Sequence, residues 1–211
     1  MENVALVKIN VGIFIFNDVE ILDFTGPYEV FSSVRLSSKV LNKSNIDKIY
    51  KKPSPFKVFT ISEKNKSIVT TGGLKVTSDY SFINTPRIDI LLLPGGKGTR
   101  KLLDNKDVIS WIKRKKELDL ILSVCTGSLL LATAGLLKNK KATTHWSAVK
   151  LLKEISPSTN VINKRYTLDT IYTSAGVSSG IDLTLKVVEQ YFGKIVAKNT
   201  SKYMEYRINK N

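Results

Sequence analysis

The sequence predicts an α/β sandwich, three layers deep, with a mostly parallel central sheet. Two observations carry that expectation. Residues 4–16, 88–93 and 118–124 are near-continuous apolar runs, the pattern of strands buried on both faces. Segments with helical apolar spacing alternate with them, as the crossovers of a parallel sheet require. At 211 residues the chain suits one sizeable domain, 1–211, and is short for two independently cored ones.

The elements follow in order. After the first strand, Gly26-Pro27 places a proline for a first helical turn, with Val30, Phe31 and Val34 as the apolar face. Residues 37–55 are polar, lysine-rich and closed by Pro53 and Pro55, which predicts a surface insertion. Residues 56–61 form the next strand, and residues 67–76 a hairpin turning at Gly72-Gly73. The run at 88–93 ends in Pro94-Gly95-Gly96. Residues 106–117 make a helix with Val108, Ile109 and Ile112 inward. The third run delivers Cys125, and 127–137 reads as a Leu/Ala-rich helix. A second hairpin spans 165–174. Ile181, Leu185 and Val188 mark a helix that Gly193 closes, and a C-terminal helix occupies about 194–208.

Composition narrows the function classes. No stretch approaches the ~20 apolar residues of a membrane span. Met1-Glu2-Asn3 offers no basic leader before the first apolar run, so the expected location is cytoplasmic. One cysteine and one histidine preclude an internal disulfide and make a His/Cys zinc cluster hard to build, so no metal or cofactor is expected. Lys and Arg number 33 against 18 Asp and Glu, a net charge of +15. The lysines are scattered, without a helix-turn-helix pattern or aromatic/basic alternation. This is a solvated basic surface rather than a nucleic-acid site.

Four segments carry residues able to do chemistry. In Leu122–Ser128 a strand ends, Cys125 stands at the corner, and a small-residue helix begins. That is a nucleophile elbow, in which the new helix's N–H groups and dipole favour a thiolate; the plainer alternative is an inert buried thiol. At Pro94-Gly95-Gly96, the Gly96 N–H is a candidate partner for the Thr126 N–H in holding a negative charge, against a simple strand-ending turn. Asp23 sits among apolar neighbours, which pushes a carboxyl towards protonation. Alternatively Asp23 or Thr25 merely caps the helix begun at Pro27. His145, twenty residues after Cys125, is either its base or a packed residue beside Trp146.

Together LLLPGG (91–96), SVCTGSLLLATAGLL (123–137), ATTHW (142–146) and TSAGVSSGIDLTLKVVEQYFG (173–193) resemble the DJ-1/PfpI superfamily, whose fold is flavodoxin-like. LDFTGPYEVF (22–31), with CTG and THW, is similar to the branch of isonitrile hydratases and AraC-type sensor domains. The resemblance implies roles by position: Cys125 the nucleophile, Thr126 its supporting N–H, Gly96 the second oxyanion donor, and Asp23 the acid/base beside the sulfur. His145, Ala175 and Gly176 fall on the substrate side of the site. It also implies a homodimer acting on a small molecule.

The departures from the wider superfamily are specific. No second histidine follows His145, which disfavours glutamine hydrolysis, and Thr126 replaces the histidine that follows the cysteine in PfpI-type peptidases. Ala175 stands where DJ-1-like members carry arginine, which weakens a glyoxalase or deglycase reading. The resemblance therefore implies isonitrile hydration. Its rivals are that glyoxalase-type chemistry and a non-catalytic sensing or redox stress protein in which Cys125 oxidises.

Overall fold

The computed structural model describes residues 8–64 and 66–208. Within the apolar run at 4–16, the structure forms β1 at Ile9–Phe14; positions 4–7 lie outside the described residues. Helix α1 (Ile21–Ser33) follows, then α2 (Ile46–Tyr50), β2 (Phe56–Ser62), β3 (Ser67–Val69), β4 (Lys75–Thr77), β5 (Tyr80–Ser81) and β6 (Ile90–Leu93). The second half runs α3 (Thr99–Leu102), α4 (Lys106–Lys113), β7 (Leu120–Val124), α5 (Gly127–Thr133) and β8 (Lys141–Ala142). A 3-10 turn (Trp146–Ala148), α6 (Val149–Ile155), β9 (Asn160–Val161), β10 (Tyr166–Leu168), β11 (Tyr172–Ser174), α7 (Ser179–Phe192) and α8 (Lys194–Tyr203) complete it.

Seven strands form the central sheet in the order β10-β11-β7-β6-β1-β2-β5, parallel except for the β10–β11 hairpin. The apolar runs behave as expected of doubly covered strands: every residue of β6 and β7 is buried. Helices α1, α7 and α8 pack together, as do α3, α4, α5 and α6, so the sheet is flanked by helices. The chain turns from β1 towards β2 on one side, while β6 and β7 extend the sheet on the other. That reversal creates a crevice at the carboxyl ends of β1 and β6, where α/β proteins bind ligands.

Several boundaries differ from the sequence reading. The first helix begins at Ile21, six residues before Pro27, so Pro27 lies inside it. Burial of Asp23, Phe24 and Gly26 against the fold favours helix there, and Asp23 occupies the first turn instead of capping a later one. Helix α4 stops at Lys113 and α5 at Thr133, each shorter than its periodicity suggests; Gly135, at φ 77°, follows the latter. Strand β5 has two residues, too few to show alternation.

The polar segment 37–55 is anchored to α8. The Asn199 amide accepts from the Leu41 N–H at 2.8 Å and donates to the Lys39 carbonyl at 2.9 Å. Tyr50 stacks on Tyr203 with ring centroids 3.9 Å apart. Leu41 and Ile49 are buried in this contact region despite the segment's lysine-rich composition.

Candidate active site

Cys125 follows β7 directly and adopts φ 57°, a left-handed conformation that costs a non-glycine residue roughly 1–2 kcal/mol. Three hydrogen bonds hold it there. Its N–H donates to the Ser174 carbonyl of β11 at 2.9 Å, and its carbonyl accepts from Thr144 Oγ1 at 3.1 Å and Ser128 Oγ at 3.2 Å. The elbow expected from sequence is thus built, and neighbouring segments stabilise its strained backbone.

Two glycines let the walls close on it. A Cβ on Gly176, at φ 90°, would lie 2.5 Å from the Cys125 Cβ and 3.0 Å from its Sγ. A Cβ on Gly95 would lie 2.5 Å from the Thr126 nitrogen and 2.9 Å from Asp23 Oδ2. Backbone without side chains is therefore what allows Asp23, Thr126 and Cys125 to meet.

Asp23 is fully buried, at 0 % exposure. Its Oδ2 accepts the Gly95 N–H at 2.9 Å, whereas Oδ1 has no hydrogen-bond partner. The carboxyl also interacts with the Cys125 thiol, and each group moves the other's proton affinity. Burial pushes the Asp23 carboxyl up to about 7; the Gly95 N–H and the thiol oppose that rise. Burial likewise pushes the Cys125 thiol up to about 12, followed by the charge of ionised Asp23. The Thr126 N–H and hydroxyl pull the other way but do not prevail. This corrects the expectation that the α5 amino end makes a resting thiolate: desolvation outweighs its N–H groups.

Thr126 also ties together the loop after β6 and the start of α3. The Gly96 N–H donates to Thr126 Oγ1 at 3.0 Å, and Thr99 Oγ1 lies 3.1 Å from the same oxygen. Gly96 is accordingly engaged at rest with the Thr126 hydroxyl. Thr99, buried at the start of α3, went unnoticed in the sequence because nothing distinguishes it from any other helix-start threonine.

His145 precedes the 3-10 turn, with Nδ1 2.8 Å from Ser147 Oγ. It lines a cavity of about 310 Å³ together with Cys125, Thr126 and Gly96, so the structure brings these four together. Ala175 lines an adjoining cavity with His145 and Gly176, and its N–H donates to the Arg165 carbonyl at 2.9 Å. Arg165 pairs with the buried carboxylate of Asp182 and reaches Ser178 Oγ at 3.1 Å, which ties the 175–178 loop to α7. Among the described residues, no group of three or more His, Cys, Asp or Glu side chains is placed to hold a metal ion. No helix among them is long and apolar enough to cross a membrane.

Known proteins similar to this chain share its fold. Over 200 residues the chain is 28 % identical to an isonitrile hydratase of Pseudomonas putida, covering 94 % of this chain and 78 % of that one. Over 148 residues it is 25 % identical to the HTH-type transcriptional regulator GbdR of Pseudomonas aeruginosa, covering 70 % of this chain and 40 % of the regulator. A crystal structure of a ThiJ/PfpI family protein from Pseudomonas syringae has the same fold, with a TM-score of 0.82 at 24 % identity, covering 96 % of this chain and 77 % of that one. The DJ-1/PfpI family model matches residues 9–190, and the chain belongs to that family.

Proposed function

We propose that the protein hydrates an isonitrile to an N-substituted formamide, with Cys125 as nucleophile and Asp23 as acid/base. The observation that carries the proposal is the buried carboxyl raised to about 7 beside the thiol. A carboxyl poised near neutrality can take the thiol proton and return it within one cycle. The 28 % identity to the isonitrile hydratase supports the choice of substrate class.

The reaction balances as follows. Ionised Asp23 accepts the Cys125 proton as sulfur bonds to the terminal isonitrile carbon, then gives that proton to the same carbon, leaving a thioimidate, S–CH=N–R. Water adds to this carbon while Asp23 takes one of its protons and passes it to nitrogen. The tetrahedral adduct collapses: the C–S bond breaks, the hydroxyl proton returns through Asp23 to sulfur, and the formamide leaves. Thr126, held by Gly96 and Thr99, orients the water or the nitrogen. His145, Ala175 and Gly176 border the substrate. The scheme needs only side chains and water, and we place it in a homodimer, as the resemblance implies, in the cytoplasm, as the sequence reading expects.

The test is formamide production from cyclohexyl isocyanide by wild type, Cys125→Ala and Asp23→Asn. Turnover by wild type alone supports the assignment. Turnover undiminished in either variant refutes that residue's role. Two observations favour a second reading, ligand sensing without turnover: the resting thiol is pushed up to about 12, and a regulator shares 25 % identity over 148 residues. Absence of any formamide, with Cys125 protected from alkylation by a bound isonitrile, would establish that reading instead.

A further inference from the structure

A second cavity adjoins the one holding Cys125. His145 lines both, and the second is the larger compartment, of about 650 Å³. Gly176, whose backbone lies against Cys125, lines the larger one too. A molecule with its reacting carbon at Sγ therefore has room to extend past His145 and Gly176.

Trp146, Val149, Val161, Ile162 and Ala175 give that compartment an apolar side, and Asn163 adds an amide to its polar lining. Its volume lies within the roughly 300–1,000 Å³ of small-molecule sites. The hydroxyls of Thr143 and Thr144, which also line it, are spent on the Lys164 and Cys125 carbonyls. Trp146 is 82 % exposed, an aromatic surface that a chain lying in the compartment would cover. Apart from His145, Lys153 is the one titratable side chain in the lining. It makes no ion pair among the described residues; its sequence neighbour Glu154 faces Lys150 instead.

We infer that this compartment binds the N-substituent of the substrate, and that the substituent is an apolar chain ending in a carboxylate that meets Lys153. An apolar chain gains by leaving water against these walls, and an unpaired ammonium at their edge selects an anionic end over a neutral one. The inference rests on the isonitrile reading for the reacting group. The compartment and its charge do not.

The test separates the two. Cys125 is alkylated with iodoacetamide, N-hexyl iodoacetamide or 6-(iodoacetamido)hexanoate, and second-order rates are read from intact mass. Each tailed rate is normalised to iodoacetamide and to a free-thiol control. The carboxylate tail is expected to outpace the hexyl tail by about tenfold, the scale of one charge-assisted contact. Lys153→Met, at an exposed position, abolishes that preference and Lys153→Arg retains it. Equal rates for the two tails, or a preference that survives Lys153→Met, overturn the inference. In parallel, 6-isocyanohexanoate and cyclohexyl isocyanide are assayed for formamide. Tail selectivity without formamide leaves the subsite standing and removes the isonitrile reading. Formamide without selectivity does the reverse.

Discussion

Asp23→Asn should change how stability depends on pH, by an amount the structure sets. Burial raises the carboxyl from 3.8 to about 7, so between those values the native state binds more protons than the unfolded chain. Stability contributed by the neutral form is then full at low pH, falls as pH rises from about 4 to about 7, and is flat above. Three units at 1.36 kcal/mol each give a total cost of about 4 kcal/mol, of which about 3 kcal/mol accrues between pH 4.5 and 8. Asparagine cannot ionise, yet its side-chain oxygen can still accept the Gly95 N–H. Any fixed gain or loss from the amide group is the same at every pH. The quantity to measure is therefore a difference of differences, from urea denaturation of wild type and Asp23→Asn at pH 4.5 and pH 8. The variant should gain about 3 kcal/mol relative to wild type on going to the higher pH. The Cys125 thiol does not intrude, because its shift acts at more alkaline pH. Parallel stability profiles for the two proteins would refute the raised carboxyl, and with it the acid/base role.

Three further outcomes follow from the same geometry. The rate of Cys125 alkylation by iodoacetamide should rise as pH passes about 7, where ionised Asp23 becomes available to take the thiol proton, and then level off. In Asp23→Asn the rate should lack that step and climb only towards the thiol's own alkaline range; superimposable pH–rate curves would exclude proton sharing. Gly176→Ala puts a Cβ 2.5 Å from that of Cys125 at φ 90°, so denaturation should show a loss of about 1–3 kcal/mol with slowed alkylation. Asn199→Ala removes both side-chain hydrogen bonds to residues 39 and 41 and should cost about 1–3 kcal/mol, with limited proteolysis shifting into segment 37–55. Unchanged cleavage there would mean that the Tyr50–Tyr203 stack and the Lys202–Leu41 hydrogen bond suffice to secure the segment.

What could be read from sequence depended on whether the signal was local. The runs ending at Leu93 and Val124 became fully buried strands because burial on both faces leaves no polar position to interrupt them. Gly72-Gly73 and Gly193 marked a turn and a helix end because positive φ, 86° at Gly73 and 85° at Gly193, favours glycine. The start of α1 was missed for the opposite reason. Pro27 is a strong local cue for a first turn, but packing of Phe24 and Asp23 draws the helix back to Ile21. Thr99 and the Arg165–Asp182 pair matter through partners distant in sequence, and no spacing rule reaches them.

The thiol shows most clearly why residue identity was not enough. From the elbow alone, a cysteine at a helix N-terminus reads as an activated thiolate, and the Thr126 N–H does act in that direction. Yet Cys125 is only 6 % exposed and faces a carboxyl that is fully buried, so two negative charges in that space are strongly disfavoured. The pair is better regarded as one titrating unit that holds a single proton above about pH 7, on sulfur at rest and on oxygen once sulfur attacks. In the proposed mechanism, the proton this pair shares is the one that Asp23 would place on the isonitrile carbon. The burial that raises the thiol also raises Asp23, so the proton the pair shares is held where both groups meet.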